Sequence, residues 1–250
     1  MPDSMSSPGG NAAETQQARI DLAAVFRMTA RLNMHEGVCN HISVMLPGRR
    51  FLINPKGTAF ERITASSLLI IDEHGKTLEG TGRPPTTGFT IHTRVHLTHP
   101  SAKVVMHLHA PYSTTITAVK QGCLLMVHQN SARFYGECAY DDHFNGIAEA
   151  TREGERMAAA MGPKRVLFLA NHGVVIVADT LARAFDDFYY LERACQVQIL
   201  ALQTGLPLNI MPDEMAQTTH DQYTNLTINA VLHLDECKRL LDDTEPSYAS

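Results

Sequence analysis

Apolar residues recur at helical spacing early in the chain and form short continuous runs further along. Residues 16–34 follow a helical period, which predicts an amphipathic helix. Runs rich in β-branched and apolar residues then predict strands at residues 41–45, 51–53 and 68–71. The gaps between these runs are of hairpin length, so the sheet is not expected to be purely parallel.

The rest of the chain alternates between helical and β-rich segments. A helix capped by Thr86 or Thr87 is expected to run to about residue 98. Further strands are predicted at residues 103–109, 123–128 and 165–178, and further helices at 112–119, 147–161, 179–204 and beyond 221. This alternation shows no internal repeat, and it predicts one α/β domain in which helices cover a mixed sheet.

The two ends of the chain differ in composition from the part between them. We expect a flexible N-terminal tail over residues 1–17, a single domain over 18–235 and a C-terminal tail over 236–250. The start has neither the basic nor the apolar segment of a signal peptide, and no apolar run approaches the roughly 20 residues of a membrane span. A soluble protein is therefore expected.

The charge balance narrows the range of partners. The 250-residue chain carries 21 Lys and Arg against 26 Asp and Glu, a formal net charge of −5, and has no Trp. No basic surface is expected, so neither nucleic acid nor a membrane is an expected partner. The five cysteines are scattered without a CxxC pair, which favours reduced thiols in the cytoplasm over a disulfide framework.

Three of the 13 histidines are candidate metal ligands. His107 and His109 occupy alternate positions of a β-rich run, so their imidazoles lie on one face of the strand. His172 lies in Asn171-His172-Gly173, a turn-like break in an apolar stretch. Three imidazoles with an open position are typical of a catalytic Zn²⁺ site and also suit Mn, Fe or Co. The alternative is a solvent-facing histidine pair, and spacing alone leaves both open.

Five short segments occur in an order that is specific to one family. They are Cys39-Asn40-His41-Ile42-Ser43, Asn54-Pro55-Lys56-Gly57, Arg83-Pro84-Pro85-Thr86-Thr87, His107-Leu108-His109 and Ala170-Asn171-His172-Gly173. From about residue 18 to residue 207 the chain resembles the class II aldolase/adducin family, especially its adducin-type bacterial branch. The resemblance implies a three-layer α/β/α sandwich with a mixed central sheet. It also implies a homotetramer with active sites at subunit interfaces, and a divalent ion, most often Zn²⁺, on His107, His109 and His172.

The chain departs from this family at the position of the glutamate that transfers protons. In the sugar-phosphate aldolases that glutamate directly follows the hydroxyl pair matched by Thr86 and Thr87, whereas this chain has Gly88. Glycine has no side chain to move a proton, so the ordinary aldolase acid/base is missing. We expect a Glu introduced at Gly88 to leave folding intact. Ala132 stands where the related 4-epimerases carry an Asp, which disfavours epimerase activity.

Four polar residues are candidates for binding an anionic small-molecule substrate. Lys56 replaces a small hydroxyl residue of the family and is interpreted either as a ligand for a carboxylate or phosphate or as a solvated turn residue. Asn40 either donates its amide to the anion or caps a turn. Thr86 and Thr87 lie at a predicted helix N-terminus, which favours anions even where capping is their main role.

Candidates for the missing acid/base lie in a polar, aromatic, turn-rich segment. Tyr135, Tyr140 and Asp141 would come within range if this segment lies near the metal, in the same subunit or a neighbouring one. The alternative is a surface loop in which Asp141 caps the next helix. His92 is interpreted as structural or as supporting the site from behind, and His96 as a surface residue.

The expected function is that of a divalent-metal-dependent carbon–carbon lyase. Decarboxylation of a small hydroxylated aromatic or related hydroxy acid is favoured, because it needs one protonation and suffers less from the missing glutamate. Aldol cleavage of a small hydroxycarbonyl or sugar-phosphate substrate is the first alternative. A non-catalytic adducin-like binding module and an iron-dependent oxygenase are the others.

Overall fold

The computed structural model describes residues 8–146 and 151–250 of the chain. Within these ranges, seven α-helices surround a single sheet. The helices are α1 (Pro8–Arg31), α2 (Thr86–Thr98), α3 (Pro111–Thr117), α4 (Thr151–Met161), α5 (Leu181–Gln203), α6 (Asp213–Thr224) and α7 (Ile228–Thr244). None of these described helices has both the length and the apolar character needed to span a bilayer.

The sheet has eight strands and is mixed, as predicted. The strands are β1 (His41–Leu46), β2 (Arg50–Ile53), β3 (Leu69–Ile71), β4 (Thr77–Glu79), β5 (Val104–Leu108), β6 (Cys138–Asp141), β7 (Val166–Leu169) and β8 (Gly173–Ala178). Their spatial order is β4-β3-β2-β1-β5-β8-β7-β6. The β6–β7 pair is parallel, and the other neighbouring pairs among the described strands are antiparallel.

Helices cover both faces of the sheet, which confirms the predicted three-layer α/β/α sandwich. On one face, α1, α3, α5 and α7 contribute to a large core that contains Phe26, Phe185 and Leu234. On the other face, α2 and α4 pack through Ile91 and Met157 against β5, β7 and β8. Burial of apolar surface in these two cores is the main driving force that holds the layers together.

Strand alternation decides which side chains reach the α2 face of the sheet. In β5, Met106 and Leu108 belong to the α1/α5 core, so His107 between them faces α2. In β1, Ile42 belongs to the same core, and its neighbour His41 faces α2. Because His41 and His107 are direct partners in the β1–β5 pairing, the sheet brings their two imidazoles side by side.

The ends of α5 follow the signals in the sequence. Thr180 caps the helix, with its Oγ1 accepting the backbone N–H of Arg183 at 3.2 Å. Gly205 follows the helix with φ 68°, a left-handed conformation that glycine adopts without strain. The predicted helix over residues 179–204 is therefore confirmed with small shifts at its ends.

Several segments differ from the sequence-based prediction, among them β4 and α6, which were not predicted. Residues 123–128 form a loop rather than a strand, because the Gln198 side chain bonds the backbone of Cys123 and Leu125 at 2.8 and 2.7 Å. Strand β6 lies where a turn-rich loop was expected, and its pairing with β7 overrides the local turn signals. The predicted helix over 147–161 begins at Thr151 among the described residues, and residues 147–150 lie outside them.

Both termini also differ from the prediction. Helix α1 begins at Pro8, within the expected N-terminal tail, and residues 1–7 lie outside the described ranges. The expected C-terminal tail over 236–250 is wrong, because α7 continues to Thr244 and a 3-10 turn follows at Pro246–Ala249. Tyr248 is only 2% exposed in the α1/α5 core, and its burial orders the segment.

Replacing Tyr248 tests how firmly the C-terminal segment is packed. We expect Tyr248→Ala to lower the free energy of unfolding by about 3 kcal/mol, because it leaves a cavity in the core. Tyr248→Phe keeps the packing and loses only the hydroxyl bond to Asp242 Oδ1 at 2.9 Å, so about 1 kcal/mol is expected. Urea unfolding measures both. An unchanged stability in Tyr248→Ala would contradict the packing described here.

Candidate metal centre

Three histidines converge at one end of the β5–β8 pair. His107 lies in β5, His109 follows the strand, and His172 lies in the turn between β7 and β8. The Nε2 of His107 lies 3.1 Å from Nε2 of His109 and 3.2 Å from Nε2 of His172. All three ligand atoms lie within 4.8 Å of one another. The structure therefore brings together the three candidates that the sequence singled out.

The hydrogen bonds of two rings leave their facing nitrogens without protons. His107 Nδ1 donates to the carbonyl of Val174 at 3.2 Å, and His109 Nδ1 donates to Glu36 Oε2 at 2.6 Å. A neutral imidazole carries a single N–H, so the Nε2 atoms of both rings bear lone pairs. Lone pairs 3.1 Å apart repel each other unless a cation lies between them. Such a donor set fits a divalent ion.

The spacing of the nitrogens also fits one ion. Ligands about 2.0–2.1 Å from a tetrahedral Zn²⁺ lie roughly 3.3 Å from one another. The observed separations of 3.1 and 3.2 Å are close to this value. His172 Nδ1 is buried and has no hydrogen-bond partner among the described residues, so its ring is oriented by packing instead.

The turn that carries His172 depends on its two neighbours. Asn171 has φ 54°, a left-handed conformation that asparagine tolerates better than most residues. A Cβ atom on Gly173 would lie 2.5 Å from His109 Cδ2 and 2.8 Å from the carbonyl oxygen of Leu108. The glycine therefore allows β8 to pass close enough to β5 for the imidazoles to meet.

Burial keeps His107 and His172 neutral. Desolvation, followed by the charge of His172, holds the pKa of His107 well below its usual range. Desolvation and the neighbouring His109 lower the pKa of His172 to about 4. Metal binding requires unprotonated imidazole, so both rings are in the required state at neutral pH.

A cavity of about 690 Å³ opens beside the three histidines. Lys56, Thr86 and Thr87 line it, as expected for candidates that contact a substrate. The two threonines are the first residues of α2, but neither caps it, because Pro85 occupies the N-cap position without a side-chain cap bond. The capping role predicted for them is therefore wrong, and their hydroxyls are not used as N-caps.

Asn40 supports the site from behind rather than lining the cavity. It is fully buried, and its Oδ1 accepts the backbone N–H of Glu36 at 2.7 Å and of His109 at 3.4 Å. Asn40 thereby fixes both the His109 ligand and the carboxylate that orients it. Its Nδ2 is buried without a hydrogen-bond partner among the described residues.

The three candidate acid/base residues lie away from the histidine cavity of their own chain. Tyr135 contacts the start of α6. The hydroxyl of Tyr140 accepts the backbone N–H of Leu124 at 3.0 Å, and Asp141 is ion-paired with Arg156. Tyr140 and Asp141 line a separate cavity next to α3. Within one chain, the structure does not bring these three residues to the candidate ligands.

A second group of histidines lies directly behind the ligands and was not predicted as a unit. His41 Nδ1 bonds His92 Nε2 at 2.8 Å, which agrees with a supporting role for His92. His96, expected at the surface, is only 3% exposed and bonds Ser43 and the carbonyl of Ala102. Its placement on the sheet side of α2 buries it, so the surface interpretation is wrong.

The ring of His41 also explains why residue 88 is a glycine. A Cβ atom on Gly88 would lie 2.8 Å from Cγ and 2.9 Å from Cδ2 of His41. Any side chain at position 88 would therefore require the buried His41 ring to move. The expectation that a Glu fits at Gly88 without harm to folding is contradicted by this packing.

The sandwich and the histidine cluster together define an aldolase-type α/β domain. The chain belongs to the family described as class II aldolase and adducin N-terminal domain, which matches residues 20–199. A Caulobacter vibrioides protein described as a candidate class 2 aldolase is 38% identical over 248 residues, covering 96% of this chain and 95% of that protein. Human beta-adducin is 37% identical over 159 residues, which cover 62% of this chain and 22% of the adducin.

Solved structures share the whole fold. An aldolase II superfamily protein from Pseudomonas syringae superposes with a TM-score of 0.87 at 29% identity, covering 98% of each chain. An L-fuculose 1-phosphate aldolase from Glaciozyma antarctica superposes with a TM-score of 0.83 at 26% identity, covering 99% of this chain and 96% of its own. These comparisons confirm the fold class and the family that the motifs indicate.

The buried histidines predict how stability depends on pH. Burial lowers the pKa of His96 to about 4, so between pH 6.5 and 4 the unfolded chain binds a proton that the folded chain does not. Stability is complete above pH 6.5 and falls as the solution becomes more acidic, by roughly 1 kcal/mol per pH unit for each such histidine.

The measurement is urea unfolding of the metal-free protein at pH 7, 6 and 5. We expect His96→Gln to reduce the slope of unfolding free energy against pH by about 1 kcal/mol per pH unit. The matched control His74→Gln, at an exposed turn, is expected to keep the slope of the unsubstituted protein. Equal slopes in all three proteins would contradict a neutral, buried His96.

Proposed function

We propose that this protein is a divalent-metal-dependent carbon–carbon lyase in which His107, His109 and His172 hold the ion. The observation that carries the proposal is the convergence of three imidazole Nε2 atoms beside a cavity of about 690 Å³. The Nε2 atoms of His107 and His109 do not bond each other, because each ring has its proton on Nδ1. These Nδ1 protons are donated to Val174 and Glu36. The lone pairs and the adjoining space suit an ion that also binds a substrate.

The residues around the ion would bind and orient a small anion. Lys56 provides a positive charge at the cavity wall, and the first residues of α2 provide unpaired backbone N–H groups at the Thr86 and Thr87 positions. When bound, the ion supplies Lewis acidity toward the oxygen that becomes negative as the carbon–carbon bond breaks. Glu36 Oε2 accepts a hydrogen bond from His109 Nδ1 and so fixes the orientation of that ring.

Decarboxylation of a small hydroxylated aromatic acid is the reaction that we favour. Val38, Ile91 and Phe144 give one part of the cavity an apolar lining that suits a ring. Among the described residues that line the cavity, Glu36 is the only carboxylate, and it is bonded to His109. Loss of CO₂ leaves the bond electrons on the substrate and needs one proton, whereas aldol cleavage depends more on a positioned acid/base.

Aldol cleavage of a hydroxycarbonyl or sugar phosphate is the second candidate. It is supported by the similarity to the Glaciozyma antarctica protein, which is described as an L-fuculose 1-phosphate aldolase. Lys56 would hold a phosphate as readily as a carboxylate. In this reaction a residue other than Gly88 would have to move the proton.

We further propose that the protein is a cytoplasmic homotetramer whose sites lie between subunits. Val119 and Phe144 are 57% and 52% exposed beside the two cavities, which supports a protein contact there. Tyr135, Tyr140 or Asp141 would then act as acid/base in the cavity of a neighbouring subunit. The five free cysteines support a reducing compartment.

Light scattering should give four times the chain mass, and a monomer would exclude shared sites.

Removing a ligand tests the metal and the activity together. We expect His107→Ala and His109→Ala to lower the bound ion from about one per chain to less than a tenth, and activity at least a thousandfold. Elemental analysis for Zn, Mn, Fe and Co after dialysis measures the ion, and circular dichroism checks the fold. The control His99→Ala removes a buried imidazole that bonds the Lys164 carbonyl far from the cavity, and it should keep the metal.

Activity is measured on the metal-loaded protein with two panels of substrates. Release of CO₂ is followed with hydroxybenzoic and hydroxypyridine carboxylic acids, and release of aldehyde with sugar phosphates that include L-fuculose 1-phosphate. We expect CO₂ release that is lost with His109→Ala. Aldehyde release alone would favour the aldolase, and full activity in His109→Ala would contradict the proposed site.

A further inference from the structure

A continuous chain of hydrogen bonds runs behind the three ligands, between the sheet and α2. His41 Nδ1 contacts His92 Nε2 at 2.8 Å, and His92 Nδ1 contacts Ser43 Oγ at 2.5 Å. Ser43 Oγ contacts His96 Nε2 at 2.7 Å, and His96 Nδ1 contacts the carbonyl of Ala102 at 2.6 Å. The four side chains are each no more than 3% exposed. Water therefore does not compete for these bonds.

The carbonyl at the end of the chain fixes the direction of the bond next to it. A carbonyl oxygen only accepts, so His96 Nδ1 must carry its proton and donate to Ala102. Burial keeps His96 neutral, because it lowers the pKa to about 4. A neutral ring has one N–H, so His96 Nε2 is an acceptor and Ser43 must donate its only hydroxyl proton to it.

The donors of the remaining two hydrogen bonds, between Ser43, His92 and His41, are fixed in the same way. Ser43 Oγ already donates its hydroxyl proton to His96, so it accepts a hydrogen bond from His92 Nδ1. His92 is also kept neutral by burial, which holds its pKa well below the usual range, so its Nε2 accepts from His41 Nδ1. His41 therefore has its proton on Nδ1. His41 is 1% exposed and bonds no carboxylate among the described residues, so burial disfavours a second proton and its Nε2 is left as a bare acceptor.

The position of His41 gives this acceptor a place to act. His41 lines the same cavity as the three ligands, and its ring centroid lies 5.0 Å from that of His107. His41 Nε2 makes no hydrogen bond to the described residues. Unlike His172 Nδ1 and Asn40 Nδ2, which are unbonded and inaccessible, it is not closed off from the cavity. His41 is also not one of the three residues whose ligand atoms cluster within 4.8 Å. It is therefore placed to face a bound molecule rather than the ion.

Gly88 makes the position of His41 possible. Since a Cβ at residue 88 would lie 2.8 Å from Cγ of His41, the imidazole fits only beside a glycine. The glycine therefore leaves room for a fixed, neutral imidazole at the wall of the cavity.

We propose that His41 Nε2 accepts a hydrogen bond from a hydroxyl group of the substrate and thereby selects hydroxylated acids. The inference rests on the proposed function, because the substrate is taken to be held at the three-histidine site. Ser43, His92 and His96 are positioning residues that fix the His41 tautomer. A substrate with an ether or a hydrogen in place of the hydroxyl would leave the buried acceptor unpaired, which is the basis of strong discrimination.

The tautomer is tested without substrate by ¹⁵N NMR of the histidine rings. The full-length protein is measured metal-free and zinc-loaded, and the His41 signals are assigned by their loss in His41→Gln. We expect the proton on Nδ1 and an unprotonated Nε2 in both forms. Ser43→Ala breaks the chain and should give a mixture of tautomers at His41. A proton on Nε2 of His41 in the unsubstituted protein would overturn the proposal.

Recognition of the hydroxyl is tested with a matched pair of probes, salicylate and 2-methoxybenzoate. Calorimetry on the zinc-loaded protein gives the ratio of their affinities. We expect His41→Phe to reduce the preference for salicylate about tenfold, and Ser43→Ala to reduce it less. Lys56→Ala removes the positive charge proposed to hold the carboxylate that both probes share. It should weaken the binding of both probes and leave the ratio of their affinities unchanged.

The outcomes separate the two proposals. An unchanged ratio in His41→Phe, in a protein that binds zinc and salicylate, would overturn the role of His41 and leave the lyase proposal standing. Failure of the unsubstituted protein to bind zinc would overturn the proposed function, and the role of His41 would fall with it. A zinc-loaded protein that binds neither probe would overturn the selection of hydroxylated acids by His41 and leave the metal site standing.

Discussion

The antiparallel pairing of β1 with β5 is the constraint on which the site depends. Its register makes His41 and His107 direct partners, both facing α2. Because side chains alternate along a strand, a slip of β1 by one residue would turn His41 into the α1/α5 core and bring Ile42 to the α2 face instead. That slip would bury an unpaired imidazole among apolar side chains, so the hydrophobic pattern that stabilises the sandwich also fixes His41 beside the candidate ligand His107.

Close approach of neutral imidazoles shapes the electrostatics of this region. Burial and mutual repulsion lower the pKa of His41 to about 3 and that of His172 to about 4. These two rings are therefore unprotonated at one nitrogen at neutral pH. The neighbouring rings of His107 and His109 are stabilised because each donates its Nδ1 proton to an oxygen. Gathering such groups costs the folded protein free energy, which a divalent ion bound to the lone pairs would offset.

Much of the fold and the convergence of the three candidate ligands could be predicted, because they follow from local pattern. Alternation placed His107 and His109 on one face, and the Asn171–Gly173 turn marked the third candidate. The relation of His41 to His92 could not be predicted in the same way, since it joins a strand to a helix 51 residues later. A signal was nevertheless present: His41 begins a β-run on the same alternation as Ser43. The C-terminal segment was missed because nothing in its local sequence reveals that Tyr248 packs against α1.

Gly88 and the His41 ring share one space beside the candidate ligands. A glutamate at position 88 would need the space that the His41 ring fills, so the two groups exclude each other sterically. A carboxylate there would bring negative charge beside the ion, whereas the imidazole brings a neutral acceptor fixed by a buried chain that ends at the Ala102 carbonyl. The two residues fit as a pair, because the His41 ring in this position needs a glycine at residue 88. If His41 Nε2 binds a substrate hydroxyl as we propose, this pair determines which substrate groups the cavity accepts, while His107, His109 and His172 stay where β5 and the β7–β8 turn hold them.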